Sequence, residues 1–357
     1  MAEKKTSLWY VITHQTKMNR AQYLKLINRV TLFVAGGFAV SIAVFFVIAW
    51  LGGIANVAGD IASSKLDIYA LAFVSVLAGV LLRFVKWSYY LKKFRLKLPT
   101  KRSLAVYLSM YAMDLTPGNI GRIVAAYTLS RVTRAEIVQV IPIVTMDIFT
   151  DSLGFALLTI ITSVYYNQYT LIVLLADMLL LVPVFLFLIN PWFYRLLKGG
   201  LKKNSFLKIF SIYGDEYFAA QSILNKPDVY AVSILVTVPS AALTAASLYF
   251  ALVSIGLVGI PVGHSIFILS TSQLFGMIST IPGNIGVTDG SLIALIQGVF
   301  GATPTQASAA TIMVRLATLW FGIIMGTLFL FYTLRYWREP KSKLLKETRD
   351  GLSSRSS

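Results

Sequence analysis

The sequence contains no cysteine, which excludes disulfides, thiolate metal sites and a cysteine nucleophile. Histidine is nearly as scarce, because only His14 and His264 occur. We therefore expect no metal centre and no cofactor. Charged residues make up 13% of the 357 residues, well below the ~25% of ordinary soluble domains. This scarcity, with 57% hydrophobic content, excludes a soluble globular domain and predicts an integral membrane protein.

Long apolar runs without strand-like alternation favour membrane-spanning helices over a β-barrel. Six runs are long enough to cross a bilayer as helices. They are 30–51, 67–91, 135–165, 169–189, 228–257 and 305–334. The first run is longer than the apolar part of a signal peptide, so we expect it to remain as an anchor.

Acidic residues are few, with 15 Asp and Glu against 32 Lys and Arg. The basic residues cluster beside apolar runs in alternate loops, and Lys65 is the only basic residue left in the remaining loops. This is the positive-inside pattern, which predicts a multi-pass protein of the plasma membrane with both termini in the cytoplasm. Because the membrane explains the net charge of +17, we expect no nucleic-acid partner.

The pentapeptide Pro-Gly-Asn-Ile-Gly occurs twice, at 117–121 and at 282–286. Each copy interrupts an apolar segment, at 103–130 and at 265–301, where proline removes a backbone donor and glycine permits positive φ. The two arms of each segment, at ~1.5 Å per residue, reach about halfway through a ~30 Å hydrocarbon layer. We therefore predict two re-entrant helical hairpins. Their tips contain Pro117, Gly118 and Gly121, and Pro282, Gly283 and Gly286. Arms that cross the membrane fully fit the same charge pattern.

These features predict an all-α polytopic membrane protein with six spanning helices and two opposed re-entrant hairpins arranged as an inverted repeat. Residues 1–29 form a basic cytoplasmic segment, 30–189 the first membrane half and 190–227 a basic cytoplasmic connection. Residues 228–335 form the second half, and 336–357 a basic cytoplasmic tail. In transporters of this build the substrate site lies near the membrane midplane, between the halves.

An ionisable group inside a span costs about 2.5–3.5 kcal/mol or more at its centre, so each one needs a reason. Arg122 and Arg315 are the leading candidates for binding an anion such as a lipid phosphate. The structural alternative for Arg122 is an ion pair with Asp114 or Asp147. For Arg315 it is an ion pair with Asp289.

Four further ionisable residues form a second set of candidates. Arg83 and Lys86 either join the binding site or extend to the inner headgroups. Asp147 and Asp151, four residues apart, share one helix face, where like charges can raise a pKa and permit proton coupling. Their structural alternative is pairing with Arg83 or Lys86.

Two asparagines and one aspartate lie at the predicted hairpin tips. Asn119 and Asn284 either donate to a bound phosphate or cap the returning arms. Asp289 lies in the first turn of the second returning arm, where an acidic residue stabilises the helix terminus. It serves either as that cap or as part of the site.

The second pentapeptide also carries a family resemblance. Pro282 to Gly286, followed by Val-Thr-Asp289 and by Arg315 in the next helix, resembles the Pro-Gly-Gly-Leu-Gly-Val-x-Glu signature of the lysylphosphatidylglycerol synthase transmembrane region. Arg83-Phe-Val-Lys-Trp87 is similar to that family's Arg-x-x-Arg-Trp. Asp147 to Asp151 resembles its Glu-Arg-x-x-Asp. The chain departs from the family pattern with Asp289 for Glu, Ile148 for Arg, Arg122 for Glu and Ala125 for Arg.

That family is the flippase module of the multiple peptide resistance factor, and it also occurs in stand-alone form. The resemblance implies lipid translocation between leaflets. Synthesis of a lysyl lipid is not implied, because the soluble aminoacyl-transferring domain is absent.

The leading hypothesis is therefore a flippase or scramblase for an anionic or phosphate-linked lipid, such as a phospholipid or a polyprenyl-phosphate-linked lipid. Its expected partners are membrane lipids with anionic headgroups. One alternative is a membrane-embedded transferase that uses Asp147, Asp151 or Asp289 as a base on a lipid-linked sugar. Another is a scaffold for a separate lipid-modifying enzyme. The sequence leaves a homo-oligomer open.

Overall fold

A computed structural model describes residues 20–116, 122–133, 135–163, 208–279 and 281–336, together with positions 175, 179 and 192. The regular elements of this described part are helical. They are α1 Arg20–Leu51, α2 Ile54–Ala62, α3 Leu66–Lys93, α4 Thr100–Ser109, α5 Ile123–Thr133, α6 Ile137–Ser163, α7 Lys208–Gln221, α8 Pro227–Ser254, α9 Val262–Ser279, α10 Val287–Phe300, α11 Pro304–Arg315 and α12 Phe321–Tyr336. Short 3₁₀ turns follow α4 and separate α9 from α10, and a π-helical turn joins α11 to α12.

Four helical stretches are long and apolar enough to cross a membrane: α3, α6, α8 and the continuous Pro304–Thr333. The bent pair Gly36–Leu51 and Ile54–Ala62 adds a fifth candidate, with a bend of 101°. Large apolar side chains are also exposed, including Trp50, Leu235 and Leu328, as a lipid-facing surface requires. The chain is thus an all-helical, multi-pass membrane protein. Of the span predicted at 169–189 only positions 175 and 179 are described, so six spans remain a prediction.

The segment between the apolar runs 30–51 and 67–91 contains helix α2. Gly53 adopts a left-handed φ of 82°, which turns the chain before α2 begins. The buried Val57 anchors the new helix. The Thr305 hydroxyl donates to the Gly52 carbonyl at 2.7 Å, so the turn is fixed to the start of α11.

Helices α3 and α8 run antiparallel along their whole length. At one end, the Lys65 amide donates to the Ser254 carbonyl at 2.9 Å. At the other end, Lys93 forms an ion pair with Asp228 at 2.5 Å. Between these ends the backbones approach closely, since a Cβ at Gly79 would lie 2.7 Å from the Ser240 carbonyl oxygen. Small residues permit this kind of approach between membrane helices.

The second pentapeptide is a break between helices, and the first lies between the described helices α4 and α5. Helix α4 and its 3₁₀ turn precede 117–121, which lies outside the described residues, and α5 follows. The second break is described: Gly283, Asn284 and Gly286 have φ values of 64°, 55° and 86°. The His264 and Phe300 rings, near the outer ends of α9 and α10, lie 6.2 Å apart. The start of α9 and the end of α10 therefore lie side by side.

Candidate functional site

A cavity of about 100 Å³ lies between the second break and the residues Asp114 and Arg122, which flank the first pentapeptide. Its polar lining comes from five helices and from both broken segments. These residues are Arg83, Tyr111, Asp114, Arg122, Asp151, Thr244, Gln273, Asn284, Arg315 and Thr318. Three arginines from distant parts of the sequence thus line one space.

The two broken segments also touch directly. Leu115, just before the first pentapeptide, packs so closely on Gly283 that a Cβ at Gly283 would lie 2.9 Å from its Cδ2 atom. Leu115 shares an apolar cluster with Ile285 and Trp320. The predictions for Pro117, Gly118, Asn119 and Gly121 concern residues outside the described part. Their flanking residues Asp114 and Arg122 nevertheless lie on the cavity.

Arg122 forms a bidentate ion pair with Asp114. Its Nε and Nη2 atoms donate to the two carboxylate oxygens of Asp114 at 2.7 and 2.9 Å. Its guanidinium also lies over the Tyr111 ring, 5.1 Å from the centroid. This parallel geometry is the strong form of an arginine–carboxylate contact. Of the two partners that the sequence offered for Arg122, the structure places Asp114 in contact.

Asp151 lies at the centre of the buried charges. Its carboxylate is 2.7 Å from Lys86 Nζ, 3.5 Å from Arg83 Nε and 3.9 Å from Arg122 Nη1. Arg83 in turn donates to the Ser240 and Thr244 hydroxyls at 3.0 and 3.2 Å. The two arginine contacts to Asp151 are longer than ideal charge-assisted hydrogen bonds. The guanidinium N–H groups of Arg83 and Arg122 are therefore able to donate hydrogen bonds into the cavity.

Lys86 lies behind Asp151 and is not part of the cavity wall. Its side chain is fully buried and contacts both acids of α6, with Asp147 Oδ1 at 3.1 Å. This Asp147 contact is close but is not aligned as a hydrogen bond. Lys86 also donates to the Thr150 hydroxyl at 2.8 Å. Lys86 therefore does not extend to the headgroups, and the two acids, one turn apart, share its charge.

The second break is fixed to α11 by a chain of polar contacts. The Gly286 amide donates to Asp289 Oδ2 at 2.7 Å, so Asp289 caps the start of α10. The other carboxylate oxygen lies 2.8 Å from Arg315 Nε, though not aligned as a hydrogen bond. Arg315 Nη2 donates to the Gly283 carbonyl at 2.8 Å. Asp289 is therefore both a cap and a partner of Arg315.

Sequence reasoning missed several parts of this site. The π-helical turn Leu316–Trp320 follows Arg315 directly, and such turns recur at functional sites. No proline or glycine marks its position. Tyr111 and Gln273 also line the cavity, but nothing in the sequence separates them from other polar residues in apolar helices.

Three arginines and two carboxylates, those of Asp114 and Asp151, line the cavity. The charge of Arg315 is balanced by Asp289 and that of Lys86 by the acids of α6, so the buried network has as many carboxylates as cations. Among the described residues, no group of histidine or acidic side chains is arranged to hold a metal ion. The guanidinium groups on the wall are suited to hydrogen bonding with an anion.

Comparison with known proteins places the chain in a family. A UPF0104 membrane protein of Methanothermobacter thermautotrophicus is 26% identical over 285 residues, covering 71% of this chain and 83% of that protein. The sequence profile of the lysylphosphatidylglycerol synthase TM region matches residues 34–326, which include every described residue of the cavity. The chain therefore belongs to the lysylphosphatidylglycerol synthase TM region family.

Proposed function

We propose that this protein moves an anionic, phosphate-linked lipid between the two leaflets of the plasma membrane. The observation that carries the proposal is the convergence of Arg83, Arg122 and Arg315 on one cavity beside the paired helix breaks. Irregular backbone at membrane depth is tolerated where it is buried in protein or lines a polar space. A headgroup held there is shielded from the hydrocarbon.

The groups on the wall favour an anionic headgroup over a cationic one. Three guanidinium groups line the cavity, and both carboxylates on the wall already contact arginines, so the wall offers donors to a phosphate and no unpaired carboxylate to a cation. Asp151 holds Arg83 and Arg122 only at 3.5 and 3.9 Å. A phosphate entering the cavity could take over those contacts, because guanidinium groups bind phosphate with two parallel hydrogen bonds.

The positions of the helix ends in the two broken segments support the proposal of two hairpins that open toward opposite faces of the membrane. Both outer ends of α9 and α10 lie together, as the His264–Phe300 contact indicates. Helix α9 follows the Ser254 end of α8, where the Lys65 amide donates to the Ser254 carbonyl. Helix α4 instead follows the opposite, Lys93 end of α3. Under the positive-inside rule that end and both termini are cytoplasmic.

The transferase alternative gains no support from the geometry. It requires a carboxylate that is free to act as a base on a bound substrate. Asp147, Asp151 and Asp289 each contact a buried cation. Only Asp151 of the three lies on the cavity wall.

The test is leaflet exchange of a fluorescent phosphatidylglycerol analogue in proteoliposomes. Replacing an ion pair as a unit avoids leaving one buried charge alone, so the test variant is Arg122→Gln with Asp114→Asn. The matched control is Lys93→Gln with Asp228→Asn, which removes the exposed ion pair at the end of α3. We expect the first variant to fold and to lose exchange, while the control exchanges lipid like the wild type.

Wild-type exchange in the folded Arg122→Gln/Asp114→Asn variant would refute the proposal. The preference for an anion is tested separately with a labelled phosphatidylcholine, which carries no net charge. We expect slower exchange of that lipid by the wild-type protein. Equal rates for the two lipids would show that the arginines do not select the headgroup.

A further inference from the structure

A second, larger cavity lies between the end of α3 and the start of α4. This groove of about 760 Å³ falls within the ~300–1,000 Å³ range of small-molecule sites. Its lining residues are Ser88, Leu91, Lys92, Arg95, Leu96, Lys97, Leu98, Pro99, Thr100 and Ser103. None of them lines the central cavity, so the groove is a separate feature.

The groove is basic, and its charges are not neutralised by any acidic residue in the described part of the chain. Lys92, Arg95 and Lys97 line it, and no acidic residue does. Within the described part of the chain, none of these three side chains forms an ion pair. Their neighbour Lys93 differs, because it pairs with Asp228. As far as the described residues show, the charges of Lys92, Arg95 and Lys97 are available to a ligand.

Arg95 occupies a backbone position where glycine would fit better. Helix α3 ends with the Leu96 amide donating to the Leu91 carbonyl at 3.0 Å, and Arg95 has a left-handed φ of 55°. Glycine is the usual residue at this position of such a helix end, because a Cβ disfavours the left-handed conformation. Strained positions of this kind are concentrated at functional sites. Arginine at this position places a guanidinium on the groove.

The groove also contains polar hydrogens for which the described residues provide no acceptor. Ser103 is only 2% exposed, and its Oγ accepts from Trp87 Nε1 at 3.3 Å. No hydrogen bond from the Ser103 hydroxyl to an acceptor is found within the described residues. Ser103 also closes the first turn of α4, with its amide donating to the Pro99 carbonyl. The amides of 100–102 precede that bond and form the open end of the helix, which favours an anion.

From these observations we infer that the groove is a phosphate-binding site. It takes either the phosphate of an anionic lipid headgroup or that of a soluble phosphorylated molecule. Arg95 and Lys97 supply the charge, and Ser103 with the start of α4 supplies neutral donors. The inference does not depend on lipid translocation, because the groove and the central cavity share no lining residue.

The test is lysine footprinting of the full chain in neutral detergent, with acetylated lysines identified by mass spectrometry. The probes are inorganic pyrophosphate and dioctanoyl phosphatidic acid. We expect either probe to protect Lys92 and Lys97 and to leave the exposed Lys226 unprotected. Protection by both probes shows that the phosphate group is sufficient. Protection by phosphatidic acid alone shows that the site takes a lipid headgroup.

The test variant is Arg95→Gly, which removes the guanidinium and suits the left-handed backbone. We expect it to keep or raise the Tm and to need roughly tenfold more probe for the same protection. The control Arg131→Gln removes an exposed arginine outside the groove and should protect like the wild type. The inference is overturned if neither probe protects Lys92 and Lys97, if Lys226 is protected equally, or if Arg95→Gly leaves protection unchanged.

Discussion

Lys86 is the most deeply buried cation of the charge network, with both acids of α6 as partners. Lys86→Met would leave Asp147 and Asp151 facing each other in a site closed to water. We expect it to destabilise the fold by about 3–5 kcal/mol, because removing one partner leaves an uncompensated buried charge. The measurement is the Tm of the purified protein in detergent.

A second variant separates the charge from the packing of the lysine stem. Lys86→Met combined with Asp147→Asn removes one positive and one negative charge. Asp151 then keeps its contacts with Arg83 and Arg122. We expect the double variant to recover most of the lost stability, which a double-mutant cycle measures. Equal Tm values for the single and double variants would contradict a charge-based role of Lys86.

The sequence was sufficient to identify which residues carry charge in the membrane, but not to choose their partners. Arg122 had Asp114 and Asp147 as candidate partners, and only the rotation of α6 about its axis decides between them. Arg83 and Lys86 lie three residues apart in the same helix, so the sequence suggests similar positions for them. In the structure Arg83 lies on the cavity, whereas Lys86 lies behind Asp151. Such differences depend on helix rotation and crossing, which local sequence does not determine.

At the level of elements, the contact between α12 and the first broken segment depends on one glycine. A Cβ at Gly326 would collide with the Ala112 backbone nitrogen. We expect Gly326→Ala to destabilise the protein by about 1–3 kcal/mol through overpacking. The added methyl group would displace the 3₁₀ turn that leads to Asp114 and so move Asp114 on the cavity wall. Lipid exchange should therefore also fall. Both effects are measured on the same preparation, by Tm and by exchange in proteoliposomes.

Gly298 in α10 provides the matched control. It is also a helical glycine, but no atom lies within 4 Å of a Cβ built there. Gly298→Ala should keep or slightly raise the Tm, since alanine is the better helix former. A similar loss of stability in both variants would show that close packing at Gly326 is not the cause.

The pentapeptide repeat predicted where helices break, because proline and glycine act locally on the backbone. The second break at Gly283 and Gly286 follows that prediction. Helix α2 and the π-helical turn after Arg315 did not follow from the sequence. Both depend on tertiary packing: α2 is anchored by Val57, and the turn is continuous with two ordinary helices.

For the whole molecule, the absence of cysteine makes single introduced cysteines a direct test of topology. Ser63 and Ser222 are exposed and lie near opposite ends of the antiparallel α3–α8 pair. The positive-inside pattern places Ser63 outside and Ser222 in the cytoplasm. In intact cells, a membrane-impermeant maleimide should label Ser63→Cys at once and Ser222→Cys only after permeabilisation. The reverse result would invert the proposed orientation.

Asn284→Cys distinguishes re-entrant hairpins from arms that cross the bilayer. Both arrangements place the outer ends of α9 and α10 on one face, so only the depth of the tip differs. In a re-entrant hairpin, position 284 lies beside the cavity that Arg315 lines, where a bulky maleimide from either face should react far more slowly than at Ser63→Cys. If the arms span the membrane, the tip emerges on the cytoplasmic face, and permeabilised cells should label Asn284→Cys as fast as Ser222→Cys. Fast cytoplasmic labelling would place the second break at the aqueous border and remove the midplane site for a headgroup.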